Sequence, residues 1–336
     1  MTKPPTANDS THPQISHARA PGMLALLLMA ALCSSCDSIK HLLGLGSQLS
    51  SPTDQGFMSV WGSGANDVWI AGAEGTLLHF DGKALAAVSS GTPNNLLAVH
   101  GSGPNDVWIA GDEGSVLHWD GKALAPAPPG RDMTLLGAWV RGPADVWLVG
   151  MSKADEVGIV RHWDGKVWTD TVVPGSASLW EIWGVGAQDL WMVGSSADHQ
   201  GLVQFTKVKE SSALTFTGKS LRGVWGSAAD DVWVLPYEGP AQRWNGKAWS
   251  SATWPTGPAM LGMWGSSAND VWAVGLAGTI LHFDGKTWTR ATAPVSDDLW
   301  SVWGSGANDV WAVGGHGALL RFDGKAWLKL PIVKPD

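Results

Sequence analysis

Three sets of residues in this chain are of a type and spacing that could do chemistry. Cys33 and Cys36 have the Cys-x-x-Cys spacing of a redox pair, and they are the only cysteines. They close the apolar run Met23–Leu32, however, and lack the βαβ setting that such thiols need. Four histidines, His79, His118, His162 and His282, fall at one position of a recurring segment, where other copies carry Gln204, Arg243 and Arg321. Imidazole is a metal ligand by type, but face-packed sheets stand ~10 Å apart and metal–imidazole bonds are ~2 Å long. Equivalent residues of different copies therefore cannot share one ion, and hydrogen bonding inside each copy is expected. The third set is seven aspartates, Asp67, Asp106, Asp145, Asp189, Asp231, Asp270 and Asp309, each followed two residues later by Trp. A general acid or base is needed once. Seven copies of one aspartate indicate architecture, and no catalytic residue and no metal site is singled out.

The elements that carry these residues follow from the period. The seven aspartates are 39, 39, 44, 42, 39 and 39 residues apart, the length of a propeller blade of four short strands. In the copy at 261–293, LGMWG, VWAVG, TILHF and TWTRAT read as four strands, separated by the turns SSAND, LAG and DGK. No window carries an apolar stripe at helical spacing. The last hairpin is Asp-Gly at 81–82, 120–121, 164–165, 284–285 and 323–324, and Asn245-Gly246 in the fifth copy. Both dipeptides suit a type I′ turn, so these aspartates are read as turn residues; the fourth copy departs, with Thr206-Lys207-Val208 and a longer outer strand. The Asp of the NDVW segment is expected to hold its turn by accepting backbone N–H bonds. The Trp beside it is expected to fill the space between blades. A second Trp column at 61, 139, 183, 225, 264 and 303 belongs to the innermost strand, with His100 as its one exception. The predicted fold is all-β, a seven-bladed β-propeller of four-stranded antiparallel blades.

The unit VWGS-x-x-x-DVW-x-x-G-x-x-G-x-x-x-x-F-D-G-x-x-W resembles the repeats of bacterial BNR or Asp-box propellers, and of propellers like the photosystem II assembly factor. The resemblance covers about 56–332, and HFDGKTW at 282–288 matches the Asp-box only loosely, without its Ser. It implies the propeller and no activity, because propellers serve hydrolases, oxidases and binding scaffolds alike. A sialidase-like hydrolase would need an arginine cluster and a Tyr–Glu pair. Tyr237-Glu238 is the one candidate, and neighbours in a strand point to opposite faces. A quinone-dependent dehydrogenase shares the Gly-Lys recurrence at Lys83, Lys122, Lys166, Lys247, Lys286 and Lys325, and the same comparison implies a lipoprotein scaffold for barrel assembly.

The 336 residues contain 23 Trp, 43 Gly and one Tyr, with a formal net charge of −8. No basic stripe is present, which excludes a nucleic-acid partner from the expectations. The ten-residue run Met23–Leu32 is too short to span a bilayer but has the length of a signal-peptide core. LCSSCDS after it resembles a bacterial lipoprotein signal with Cys36 as the lipidated residue. The expected organisation is a signal peptide at 1–35, a tether at 36–55, the propeller at 56–332 and a tail at 333–336. Residues 44–55 are a candidate extra strand to join the ends of the ring. The protein is expected to be exported and membrane-anchored through a covalent lipid on Cys36, periplasmic or at the cell surface, monomeric, and without other cofactor.

Function should lie where the copies differ. The turns from second to third strand are short in most copies, but the third and fourth carry MSKADEVG (151–158) and SSADHQG (195–201). The candidate binding rim is Lys153, Asp155, Glu156, Asp198, His199, Tyr237, Glu238 and His316. With Glu74, Asp112 and Glu113 in equivalent turns, that rim is mostly acidic. Trp180, Trp254 and Trp300 fall outside the repeated columns and are candidates for stacking on sugar. The leading expectation is a non-catalytic cell-envelope interaction scaffold that binds a protein or glycan on the loop face of blades 3 and 4. The alternatives are an envelope glycoside hydrolase and a barrel-assembly scaffold.

Overall fold

A computed structural model describes residues 56–128, 132–186, 189–196, 201–207, 210–216 and 220–332, with backbone alone between 201 and 216. Cys36, Asp198, His199 and the candidate strand at 44–55 lie outside the described residues. Among the described residues, seven four-stranded antiparallel sheets form, each a meander whose strands pair in sequence order. The first strands are Phe57–Gly64, Leu96–Gly103, Met133–Gly142, Ser176–Val185, Leu221–Ala228, Met260–Ser267 and Leu299–Gly306. Each lies against the first strands of the preceding and following sheets, and the last lies against the first. The sheets are therefore blades around an axis with their first strands innermost, and the fold is a propeller of four-stranded antiparallel blades. No helix among the described residues is long and apolar enough to cross a membrane.

Packing between blades explains why Trp and Gly recur together. The second-strand Trp of each blade enters the core of the next: Trp69 joins Leu96, Val107 and Ile109, and Trp311 joins Phe57, Val60 and Ile70 across the closure. Trp69 and Trp311 are fully buried, and burying one such side chain contributes up to about 5 kcal/mol of transfer free energy. The inner-strand Trp lies over the glycine of the next blade. A Cβ placed on Gly101 would meet the Trp61 ring at 2.6 Å, and Gly226, Gly265, Gly304 and Gly62 face Trp183, Trp225, Trp264 and Trp303 in the same way. The Trp-Gly pair of VWGS is thus one half of two contacts, a ring given forward and a gap offered back. Ring closure uses this contact too, together with a bond from the Val60 N–H to Ser301 Oγ at 3.3 Å, and among the described residues no strand is shared between blades.

His100 is the exception, and its neighbour compensates. The residue it faces is Val140, where the glycine column is broken, and the Val140 N–H donates to His100 Nδ1 at 3.0 Å. The smaller imidazole leaves room for the larger aliphatic side chain. An accepting Nδ1 fixes the neutral ring with its proton on Nε2. Enclosure between Trp61 and Trp139, at 5.4 and 4.6 Å between centroids, goes with a His100 pKa pushed down to about 3 by burial.

The outer hairpins differ from expectation. The loop has four residues, since Phe80 pairs with Leu85. Positive φ occurs at Gly82 (87°) and not at Asp81, so the turn is not type I′. Asp81 instead accepts the Lys83 and Ala84 N–H groups at 2.9 and 2.8 Å, which holds its carboxyl below the usual range. Asn245 accepts the same pair, from Lys247 and Ala248, at 3.0 and 2.9 Å. An amide oxygen suffices, so the interchange of Asp and Asn has a geometric reason that does not depend on a type I′ turn.

Candidate functional site

The repeated aspartates were the first candidates for chemistry, and their surroundings are structural. Asp67 accepts the Ser63 hydroxyl at 2.5 Å on one oxygen and meets His79 Nε2 at 2.6 Å on the other. His79 stacks on Trp69 at 4.2 Å. Burial pushes the Asp67 pKa up, but the bonds from His79 and Ser63 outweigh it and the net shift is downward. The same set recurs as Ser102, Asp106, His118 and Trp108, and as Ser266, Asp270, His282 and Trp272. In two blades arginine replaces histidine: Arg243 and Arg321 bond Asp231 and Asp309 at 2.5 and 2.6 Å and stand over Trp233 and Trp311, each at 4.9 Å. Both side chains donate to the carboxylate and cover an indole, which is why they interchange. In blade 3 Arg141 takes the serine's place on Asp145. The bonds that act on Asp67 come from side chains, not from the backbone N–H groups expected of it. Ser, Asp and His resemble a triad in composition only, for the carboxylate stands between hydroxyl and imidazole and no base reaches the hydroxyl. Arg141, Arg243 and Arg321 are each held by the aspartate of their own blade, with further contacts to the next blade at Gly186, Ala268 and Phe80, and do not converge into the cluster a sialidase-like site requires.

The opposite end of each blade carries the turns from second to third strand. These turns bond to the segment that leads into their own inner strand, as Ala73 N–H to Gly56 O (3.0 Å) and Gly315 N–H to Asp298 O (2.8 Å). Turns and blade-to-blade connections thus share one face. Of the predicted rim, Lys153 reaches across to Glu113 of blade 2 at 2.5 Å, and Asp155 accepts Ser152 Oγ at 3.3 Å within its own turn. His316 pairs with Asp297 at 3.2 Å on blade 7, Glu156 and Glu238 are exposed, and Tyr237 lies beside Arg222, 5.3 Å from guanidinium to ring. The described rim residues fall into three groups, Lys153, Asp155 and Glu156 on one turn of blade 3, Tyr237 and Glu238 on blade 5, and His316 on blade 7. Asp112 is buried rather than on the rim, bonded to Asn95 and Thr134 at 2.9 and 3.1 Å. Trp180, Trp254 and Trp300 are half-buried, not exposed; Trp254 packs on Trp288 at 4.8 Å.

Two of those tryptophans belong to a feature that sequence reasoning missed. Every inner strand skips two residues in the pairing with the second strand, and one of the two lies near the strand's start, just before the repeated small-residue column. Phe57 pairs with Gly72 and Ser59 with Ala71, leaving Met58 unpaired, and Leu97, Leu136 and Trp180 are skipped likewise. The remaining blades skip Arg222, Leu261 and Trp300. Such a bulge re-aims the side chain of the extra residue. All seven side chains are half-buried although the residue before each is buried. Arg222 lies 3.8 Å over the Trp180 ring, and Trp300 borders the turn at Gly315, so the bulges present one side chain per blade at the axial end of the turn face. The signal was a column reading Met, Leu, Leu, Trp, Arg, Leu, Trp, where an edge-lining position of a solvated strand would be small or polar.

The next column reads Ser59, Ala98, Gly137, Glu181, Gly223, Gly262, Ser301. Ser59 accepts the Val99 N–H of the next blade at 3.1 Å, and a Cβ on Gly137 or Gly262 would touch the following inner strand. Glu181 alone is large and ionisable here. It accepts its own Ile182 N–H at 3.2 Å and has no ion pair among the described residues, and burial raises its pKa to about 8.

No family model matches the sequence, and no curated protein matches it. Solved structures do match in fold. A structure described as YCF48 bound to D1 peptide superposes with a TM-score of 0.63 at 17% identity, over 82% of this chain and 95% of that one. YCF48 from Cyanidioschyzon merolae gives 0.64 at 16%, over 82% and 98%. The WD40 propeller domain of Doa1 gives 0.64 at 13%, over 80% and 92%. At these identities the likeness establishes the propeller fold.

Proposed function

We propose that this protein is a non-catalytic interaction scaffold, a seven-bladed propeller that binds a protein partner on the face bearing the second-to-third-strand turns. The observation that carries this is the bulge repeated in all seven inner strands, which turns an otherwise buried strand into a ring of one presented side chain per blade. Bulges of this kind are retained where a side chain must be re-aimed; six of the seven are aliphatic, sulfur-bearing or aromatic, and none belongs to a blade core among the described residues. A protein partner also suits the neighbours in fold, one of which is described as bound to a peptide. The longer turn at 151–158 supplies the blade-3 side of that face. In the same reading the chain is exported and held at a cell-envelope membrane by a lipid on Cys36.

A photoreactive amino acid at Leu97 or Trp300 should crosslink one protein in native membranes, whereas the same group at Ala65, on the opposite face, should not. Equal crosslinking from both faces, or none from either, refutes the assignment. Shortening 151–158 to the three-residue turn of blade 1 should reduce the crosslink in a folded variant. Metabolic labelling with a fatty acid, lost on Cys36→Ala and retained on Cys33→Ala, tests the anchor.

A further inference from the structure

We infer that the turn face receives a segment of a partner protein in which lysine or arginine side chains flank apolar ones. This rests on the proposed function and specifies the chemistry of the partner. The centre of the face is the bulge ring, uncharged except for Arg222, whose guanidinium is already laid on Trp180. Apolar side chains of an incoming segment would bury there against Leu97, Leu136, Leu261 and Trp300, the usual composition of an interface centre.

Around that centre the charge is negative. Glu74, Glu113 and Glu156 stand at the turn tips of three consecutive blades and are exposed. Their φ angles are 52°, 54° and 52°, a left-handed conformation in which glycine is the unstrained choice. Blades 6 and 7 hold Ala277 and His316 in the same conformation, so the geometry does not itself demand a carboxylate. Asp132, Asp297 and Asp298 add to the same face from the blade-to-blade connections. Among the described residues of that rim, Lys153 is committed to Glu113, and His316 is hydrogen-bonded to Asp297. A rim of this sign attracts a basic segment and repels acidic peptides, nucleic acid and anionic lipid alike.

Glu181, one residue inside the ring, fits the same partner. It is the single carboxyl among small residues, and among the described residues its bond is from the adjacent backbone. An ammonium brought to it would supply the missing ion-pair partner and favour its ionised form, so binding and proton release would be linked at that carboxyl.

The test uses the full chain labelled with fluorotryptophan and two synthetic peptides of equal length and equal leucine content, one interspersed with lysine and the other with glutamate. Fluorine signals of Trp180 and Trp300 are assigned with W180F and W300F. The lysine peptide should shift both signals, and its affinity should fall about fivefold in E74Q/E156Q, the loss expected from two exposed ion pairs. These exposed turn-tip variants keep the hydrogen bonds of the turn backbone, and circular dichroism checks that they fold. Equal shifts with the glutamate peptide would overturn the charge assignment while leaving the face as the docking surface. An unchanged affinity in E74Q/E156Q would do the same. Silence of both signals with both peptides would overturn this inference and count against the proposed face as well.

Discussion

The pairing of His100 with Val140 makes a quantitative test of what holds neighbouring blades together. At the equivalent interfaces a Cβ added to Gly62, Gly101, Gly265 or Gly304 would stand 2.6 Å from an indole carbon of the preceding blade, roughly 1 Å inside the optimal carbon–carbon separation. His100→Trp should recreate that clash against Val140, which already has a Cβ. Overpacking of this kind costs about 1–3 kcal/mol, and loss of the Nδ1 acceptor strands the Val140 N–H at a further ~1–3 kcal/mol. Val140→Gly alone should cost about 2 kcal/mol, from a small cavity and a more flexible strand. The double variant H100W/V140G reproduces the Trp-over-Gly contact of the other blades, which removes both the clash and the cavity and leaves only the stranded N–H of position 140 at ~1–3 kcal/mol, a coupling of about 3–5 kcal/mol. Equilibrium denaturant unfolding of the four proteins measures it; coupling below about 1 kcal/mol would refute the idea that indole and glycine are chosen for each other. A second readout is pH. The native His100 pKa of about 3 lies below its unfolded value near 6.5, so the unfolded chain takes up the proton first. Stability is full above pH 6.5 and is lost as pH falls toward 3, by up to ~1.4 kcal/mol per pH unit for this group. H100W/V140G should lose that part of the acid slope.

Three further outcomes are expected. Glu181 has a native pKa raised to about 8 from 4.5, so its contribution is retained below pH 4.5 and lost as pH rises through 8; Glu181→Ser, the residue of blades 1 and 7, should unfold at higher denaturant than the parent at pH 8 and the advantage should vanish at pH 4. Asp106→Asn removes the charge from bonds to Ser102, Trp108 and His118 and should cost about 2 kcal/mol in the same assay. At the exposed hairpin, Asp323→Asn should leave the thermal midpoint unchanged, because Asn245 performs the same task, whereas Asp323→Ala should lower it by orphaning the Lys325 and Ala326 N–H groups.

The sequence by itself determined the blade. A period near 39 residues, alternating strands and Asp-Gly or Asn-Gly hairpins leave few architectures open, because turn chemistry and strand pleat are local. It also placed the four histidines inside their own blades, since sheet spacing forbids a shared ion. Tertiary structure decided whatever depends on contacts between copies. Val140 looks like an ordinary strand residue until it is seen facing His100, some 40 positions away, and the glycine of VWGS has no visible purpose until the preceding blade's indole covers it. The type I′ assignment failed because Asp81 has a side-chain task, capping two N–H groups, that a dipeptide rule does not encode. The bulge was illegible for a related reason. Skipping one residue is a property of the register between two strands, and each copy keeps its length whether or not the skip occurs. Only the fold reveals that a side chain near the start of every inner strand is turned out of the pairing, at the end of the blade that carries the second-to-third-strand turns.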